Sequence, residues 1–123
     1  MQRNEALNKA LKNLRSNSKD IEACAVVSED GMMIASQLAE KKEDGPVAAM
    51  CSAMMSVGTR TVRELKRGKL QQVLVKGDQG FAAITNAGPH AVLLALAGPD
   101  AKLGLVLLEL SRASAEIEKI LAE

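Results

Sequence analysis

Gln71 to Asp100 reads QQVLVKGDQGFAAITNAGPHAVLLALAGPD, three apolar runs separated by two turn signals. Lys69 to Lys76 mixes polar and apolar residues, with Gln71 and Gln72 side by side. Gly77-Asp78-Gln79-Gly80 then turns the chain into Phe81 to Thr85, its hairpin partner. Asn86 to Pro89 turns again, and His90 to Ala97 is apolar at both parities. A strand apolar on both faces must be covered on both, so the last of the three is central. By the same logic the first, flanked by glutamines, is an edge. Gly98-Pro99-Asp100 ends the sheet, and Asp100 is expected to cap a final helix whose buried stripe is Leu103, Leu107, Leu110, Ile117 and Leu121.

Upstream, Ile21 to Ser28 and Met32 to Gln37 form two further strands around Glu29-Asp30-Gly31. Asp-Gly tolerates the positive φ angles of a tight hairpin. A charged connector, Leu38 to Asp44, leads to Gly45-Pro46, where proline suits the first turn of a helix because its missing N–H is not needed there. That helix is expected to run to about Arg67 and stop at Gly68 as the left-handed terminal residue. At about 22 residues it is nearly twice the usual length and spans the sheet. Arg60, Arg63, Lys66 and Arg67 crowd its end, where cations complement the helix dipole. At the N-terminus Asn4 is expected to cap a first helix with Leu7, Leu11 and Leu14 as its stripe. The order is α-β-β-α-β-β-β-α, an α+β chain whose short connections make the sheet antiparallel, with helices on both faces. No repeat or boundary divides the 123 residues, which are expected to form a single domain.

The composition offers little for catalysis. There is one histidine, two cysteines, one phenylalanine and no tryptophan or tyrosine. A net charge of +1 implies no global attraction to nucleic acid or anionic membrane. No run approaches the roughly 18 apolar residues of a membrane span, and the polar N-terminus has no secretory apolar region. Cys24 and Cys51 sit in an apolar strand and an apolar helix, as reduced core cysteines of a cytoplasmic protein would. His90 has no Cys, Asp or Glu at ligand spacing. Glu40, Glu43 and Asp44 read as a solvated connector, not as an acid–base pair. The glycines of Gly77 to Gly80 precede no lysine and lie in a hairpin, so they form no phosphate loop. No cofactor, metal or catalytic residue is expected, and the chain reads as a binding module, not an enzyme.

The hairpin SEDGMMIAS, the stretch MCSAMMSVGTRTVRELKRGKLQQVLVKGDQG and the ending AVLLALAGPDAKLGLVLLELSRASAEIEKIL resemble the Roadblock/LC7 family, and within it the prokaryotic MglB-like members. The resemblance covers roughly Glu5 to Leu121. It implies a five-stranded antiparallel sheet in the order 2-1-5-4-3, with the long helix on one face and the two terminal helices on the other. It also implies homodimers made by pairing the third strand and packing the long helices, and binding of small Ras-like GTPases, either to stimulate hydrolysis or as a scaffold.

Val73-Leu74-Val75 on an open edge would invite uncontrolled pairing in a monomer, and symmetric self-pairing removes that hazard. The long helix is expected to turn Val47, Cys51, Met54, Gly58, Val62 and Leu65 to the sheet. A second stripe, Met50, Val57 and Thr61 with Met54 at its boundary, is wider than one sheet face requires. The expected dimer interface is therefore Met50, Met54, Val57, Thr61, Gln72, Val73, Leu74 and Val75, and the expected partner-binding residues are Arg60, Arg63 and Arg67. Nucleic acid is disfavoured as a partner, because a chain with one phenylalanine has no stacking platform. Two functions fit: a homodimeric regulator of a small Ras-like GTPase, or a structural adaptor without effect on nucleotide turnover.

Overall fold

A computed structural model describes residues 2–39 and 43–123. The chain runs α1 (Arg3–Asn17), β1 (Ile21–Ser28), β2 (Met33–Gln37), α2 (Asp44–Glu64), β3 (Gln72–Gly77), β4 (Gly80–Asn86), β5 (Ala91–Ala97) and α3 (Leu103–Ala122). The five strands form one sheet in the order β2-β1-β5-β4-β3, every pairing antiparallel. This is the expected element order and strand order.

Two apolar layers follow from the alternation of side chains along the strands. Leu93 and Ala95 of β5, with Cys24 and Val26 of β1, point to the face covered by α1 and α3, where they meet Leu7, Leu11, Leu14, Leu110 and Ile117. Val92 and Leu94, with Val27 and Ile84, point to the opposite face, where Ala48 and Cys51 of α2 cover them. β5 is buried along nearly its whole length, as a strand apolar at both parities must be. The first hairpin closes as its Asp-Gly signal implies, with Gly31 at φ +87°. The Ser28 hydroxyl bonds Asp30 Oδ1 and accepts the Met32 N–H at 3.0 Å.

Several boundaries differ from expectation. β2, β3 and β5 begin at Met33, Gln72 and Ala91, not at Met32, Lys69 and His90. α1 starts at Arg3 without a side-chain cap, so Asn4 lies inside it. α2 ends at Glu64, not near Arg67. The Arg67 N–H bonds the Val62 carbonyl and the Lys66 N–H bonds that of Arg63, the paired closure of a Schellman motif. Lys66 is therefore the left-handed residue, at φ +57°. Gly68 also has a positive φ, at +86°, but two residues beyond the closure. A left-handed non-glycine residue costs on the order of 1 kcal/mol. Lys66→Gly is accordingly expected to raise unfolding stability by about 1 kcal/mol in urea titration; an unchanged or lower midpoint would count against this assignment.

The start of α3 shows a long-range device. Asp100 does not cap it; the helix begins at Leu103, and the Lys102 N–H donates at 2.9 Å to Asp20 Oδ2, 82 residues earlier in the chain. Asp20→Ala is expected to cost about 1 kcal/mol, readable as a lower thermal midpoint, whereas Asp100→Ala removes no such bond. The inward face of α3 is Val106, Leu110, Ala113 and Ile117. Leu107 and Leu121 are half-buried beside it, and Leu103 is exposed. The difference is one of phase: the buried set follows a 4-3-4 spacing that begins at Val106.

Candidate interaction surface

The sheet has two edges, and they are finished differently. On β2, Ala35 is buried and joins the α1–α3 layer. On β3, all residues but Val73 are exposed. Leu74 and Val75 keep 42% and 49% of their surface open, large values for apolar residues in mid-strand. Leu74 pairs with Ala83, which lies on the α1–α3 face, while Val75 pairs with Ala82 on the α2 face. The edge is thus apolar on both sides of the sheet.

α2 lies beside this edge: a side chain at Gly58 would press on Val73 and Leu70. Ala48 and Cys51 are buried beneath α2, and Val47, Met54, Met55 and Val73 pack partly into the same layer. Leu65, expected to face the sheet, is exposed because the helix closes just before it. Met50 and Val57 are 56% and 64% exposed. Thr61 is also exposed, with its hydroxyl turned back to the Val57 carbonyl at 2.7 Å. Of the expected interface residues, Met50, Val57, Thr61, Gln72, Leu74 and Val75 are exposed, while Met54 and Val73 are partly committed to the core.

The other flank of α2 is polar. Ser52, Ser56, Thr59, Arg60 and Arg63 form one wall of an open groove of about 410 Å³, whose far side includes Glu29, Asn86 and Pro89. A second hollow, about 660 Å³, continues from it past Arg63 to Lys69 and Gln71. Arg60 meets Glu64 at 3.6 Å, and both side chains are largely exposed. Arg63 has no anionic partner within 4 Å among the described residues. The structure thus brings Arg60 and Arg63 to one groove, while Arg67 lines neither hollow.

His90 is exposed, but it is not isolated. Its Nδ1 lies 3.0 Å from Glu29 Oε1, and the Glu29 N–H donates to the His90 carbonyl at 2.9 Å. The pair ties the β1–β2 turn to the β4–β5 turn across 61 residues, a proximity that spacing in the chain does not reveal. Among the described residues no three His, Cys, Asp or Glu side chains gather as metal ligands, and no helix is long and apolar enough to cross a membrane. Asp44, assigned to the connector, opens α2 and accepts the Ser36 hydroxyl at 3.2 Å. Glu40 lies outside the described residues.

Cys24 and Cys51 are free, buried and on opposite faces of the sheet, so they cannot pair. Burial raises both thiols from an ordinary 9.0 to about 11, with Arg15 partly opposing the rise at Cys24. Only the thiolate is nucleophilic. In the native protein at pH 8 neither cysteine is expected to react with a disulfide reagent within minutes, and both should react in denaturant. The stability that depends on the protonated thiols is complete below pH 9.0 and is lost as pH rises toward about 11.

An antiparallel sheet between two helical layers, with the apolar β3 edge exposed beside a long helix, makes this an α+β fold. The Roadblock/LC7 domain matches residues 7–97, and the chain belongs to that family. An uncharacterized protein of Methanocaldococcus jannaschii is 32% identical over 103 residues, covering 84% of this chain and 90% of its own. Among solved structures, a Roadblock/LC7 domain from Streptomyces avermitilis superposes with a TM-score of 0.89 at 20% identity, over 94% of this chain and 98% of its own. An MglB with tetrameric arrangement superposes with a TM-score of 0.87 at 17% identity, over 98% and 90%. These two likenesses show the fold.

Proposed function

We propose that the protein is a non-enzymatic, cytoplasmic homodimer that binds a small Ras-like GTPase and regulates its nucleotide turnover. The observation that carries this reading is the open β3 edge, apolar at Leu74 and Val75, beside the exposed Met50 and Val57 of α2. Two copies related by a two-fold axis would pair β3 with β3 and bring the apolar flanks of α2 together, giving an isologous contact that closes on itself. Gln72 and Thr61 extend that patch, and Met54 and Val73 support it from beneath. Membership of the Roadblock/LC7 family favours a GTPase as the partner. Regulation could then act on the GTPase's own catalytic groups, with Arg60, Arg63 and Arg67 as partner-facing cations on the far flank of α2.

Affinity capture from lysate of the source organism, with a non-hydrolysable GTP analogue in one arm and GDP in the other, tests the reading. Enrichment of a small GTPase with the GTP analogue, followed by altered single-turnover hydrolysis of that GTPase, is the expected result. A GTPase captured equally in both arms and turning over at an unchanged rate would replace regulation with a structural adaptor. Capture of no GTPase would overturn the partner assignment.

A further inference from the structure

We infer that the cation-lined groove along the far flank of α2 binds a short, extended acidic segment of a partner protein, with Arg63 as its central anchor. This deepens, and rests on, the reading of Arg60 and Arg63 as partner-facing. The two hollows share Thr59, Arg63 and Asn86, so they adjoin and form one trough. Between Arg60 and Lys69 the chain carries five cations, Arg60, Arg63, Lys66, Arg67 and Lys69, against one acid, Glu64. Three of the five, Arg60, Arg63 and Lys69, line the trough.

Charge complementarity selects the occupant. The guanidinium of Arg63 has no carboxylate of its own among the described residues, and a planar fork of donors matches a carboxylate in bidentate geometry. Arg60 is held by Glu64 at 3.6 Å, but both partners are about two-thirds exposed. Such a pair contributes little, so an incoming carboxylate can take its place. Between the cations the walls present hydroxyl and amide groups, such as Thr59, Asn86 and Gln71, suited to the backbone of an extended chain, beside the apolar Met55, Val62 and Leu70. The trough is open along its length, whereas a small-molecule pocket encloses most of its ligand.

Nucleic acid fits the trough poorly. The one phenylalanine, Phe81, packs against the core, and there is no tryptophan or tyrosine, so bases have no such ring in the trough to stack on. The trough and the proposed dimer patch lie on opposite flanks of α2: Met50, Met54, Val57 and Thr61 line neither hollow. The part of the trough between Arg60 and Arg63 therefore stays open when the other flank is covered.

The test uses the full chain and a dye-labelled peptide of alternating Glu and Ser, followed by fluorescence anisotropy at low salt. Saturable binding is expected, weakened about tenfold by Arg63→Gln and unchanged by Lys9→Gln on the remote helix α1. Arg63 is exposed, so its replacement should leave the circular dichroism spectrum unaltered. An oligothymidylate of matched charge is expected to bind more weakly than the peptide. The inference is overturned if the peptide does not bind below millimolar concentration, if Arg63→Gln binds as well as the parent, or if the oligonucleotide binds more tightly. No GTPase is present in this assay, so its failure and a failure to capture a GTPase are separate results.

Discussion

Leu74→Asp is expected to halve the mass measured by light scattering at micromolar concentration while leaving the folded chain intact. In a β3–β3 pairing about a two-fold axis, Leu74 lies in mid-strand, so each copy would bring a carboxylate toward its mate. Loss of apolar contact and apposition of like charges together cost at least about 3 kcal/mol, on the order of a hundredfold in dissociation constant. Within one chain the change is mild, because Leu74 is 42% exposed and its outer edge has no partner strand. The far-ultraviolet circular dichroism and the thermal transition of a monomer should survive. A Leu74→Asp protein that stays dimeric would remove β3 from the interface; one that unfolds would show Leu74 to be a core residue. Lys76→Asp, at the end of the same strand, serves as the milder comparison.

Gly80→Ala is expected to lower stability by about 3 kcal/mol or more, with a thermal midpoint down by roughly 10 °C. Gly80 begins β4 at φ +136°, a conformation open to glycine and closed to alanine. The added methyl would also sit well inside van der Waals contact distance of the Ala97 carbonyl oxygen. That atom belongs to the backbone of the central strand and cannot rotate away as a side chain can. Gly104→Ala is the matched control. It lies in the first turn of α3, where an added methyl meets nothing within 4 Å among the described residues, and it should be neutral or slightly stabilising. Equal losses in the two variants would point to a general intolerance of lost glycine flexibility instead of this contact.

How legible the molecule was in its sequence depends on how far apart the interacting residues lie. His90 to Ala97 announced a central strand because both of its parities are apolar, and Asp30-Gly31 announced its hairpin because turn chemistry is local. The remote cap was not legible: nothing near Asp20 says that it will meet an amide at position 102, and Asp100 is the better local candidate. The closure of α2 on Lys66 was masked by Gly68, which satisfies the same preference at no steric cost. The phase of α3 was ambiguous because Leu103, Leu105, Leu107, Leu108 and Leu110 place apolar residues on every side of its first turns, and only packing against α1 selects among them. Of the surface, the stripe of Met50 and Val57 could be read from periodicity. The trough could not, because it joins α2 to Glu29, Asn86 and Gln71, which lie on three other segments.

The placement of the two thiols gives the molecule a pair of built-in reporters. Cys24 is sealed in by the layer of α1 and α3, and Cys51 by the layer of α2. Each can be alkylated only when its own layer opens, so two labelling rates on one unmodified chain record two local unfolding reactions. A partner that clamps α2 alone should slow the clock at Cys51 and leave the clock at Cys24 running at its former rate.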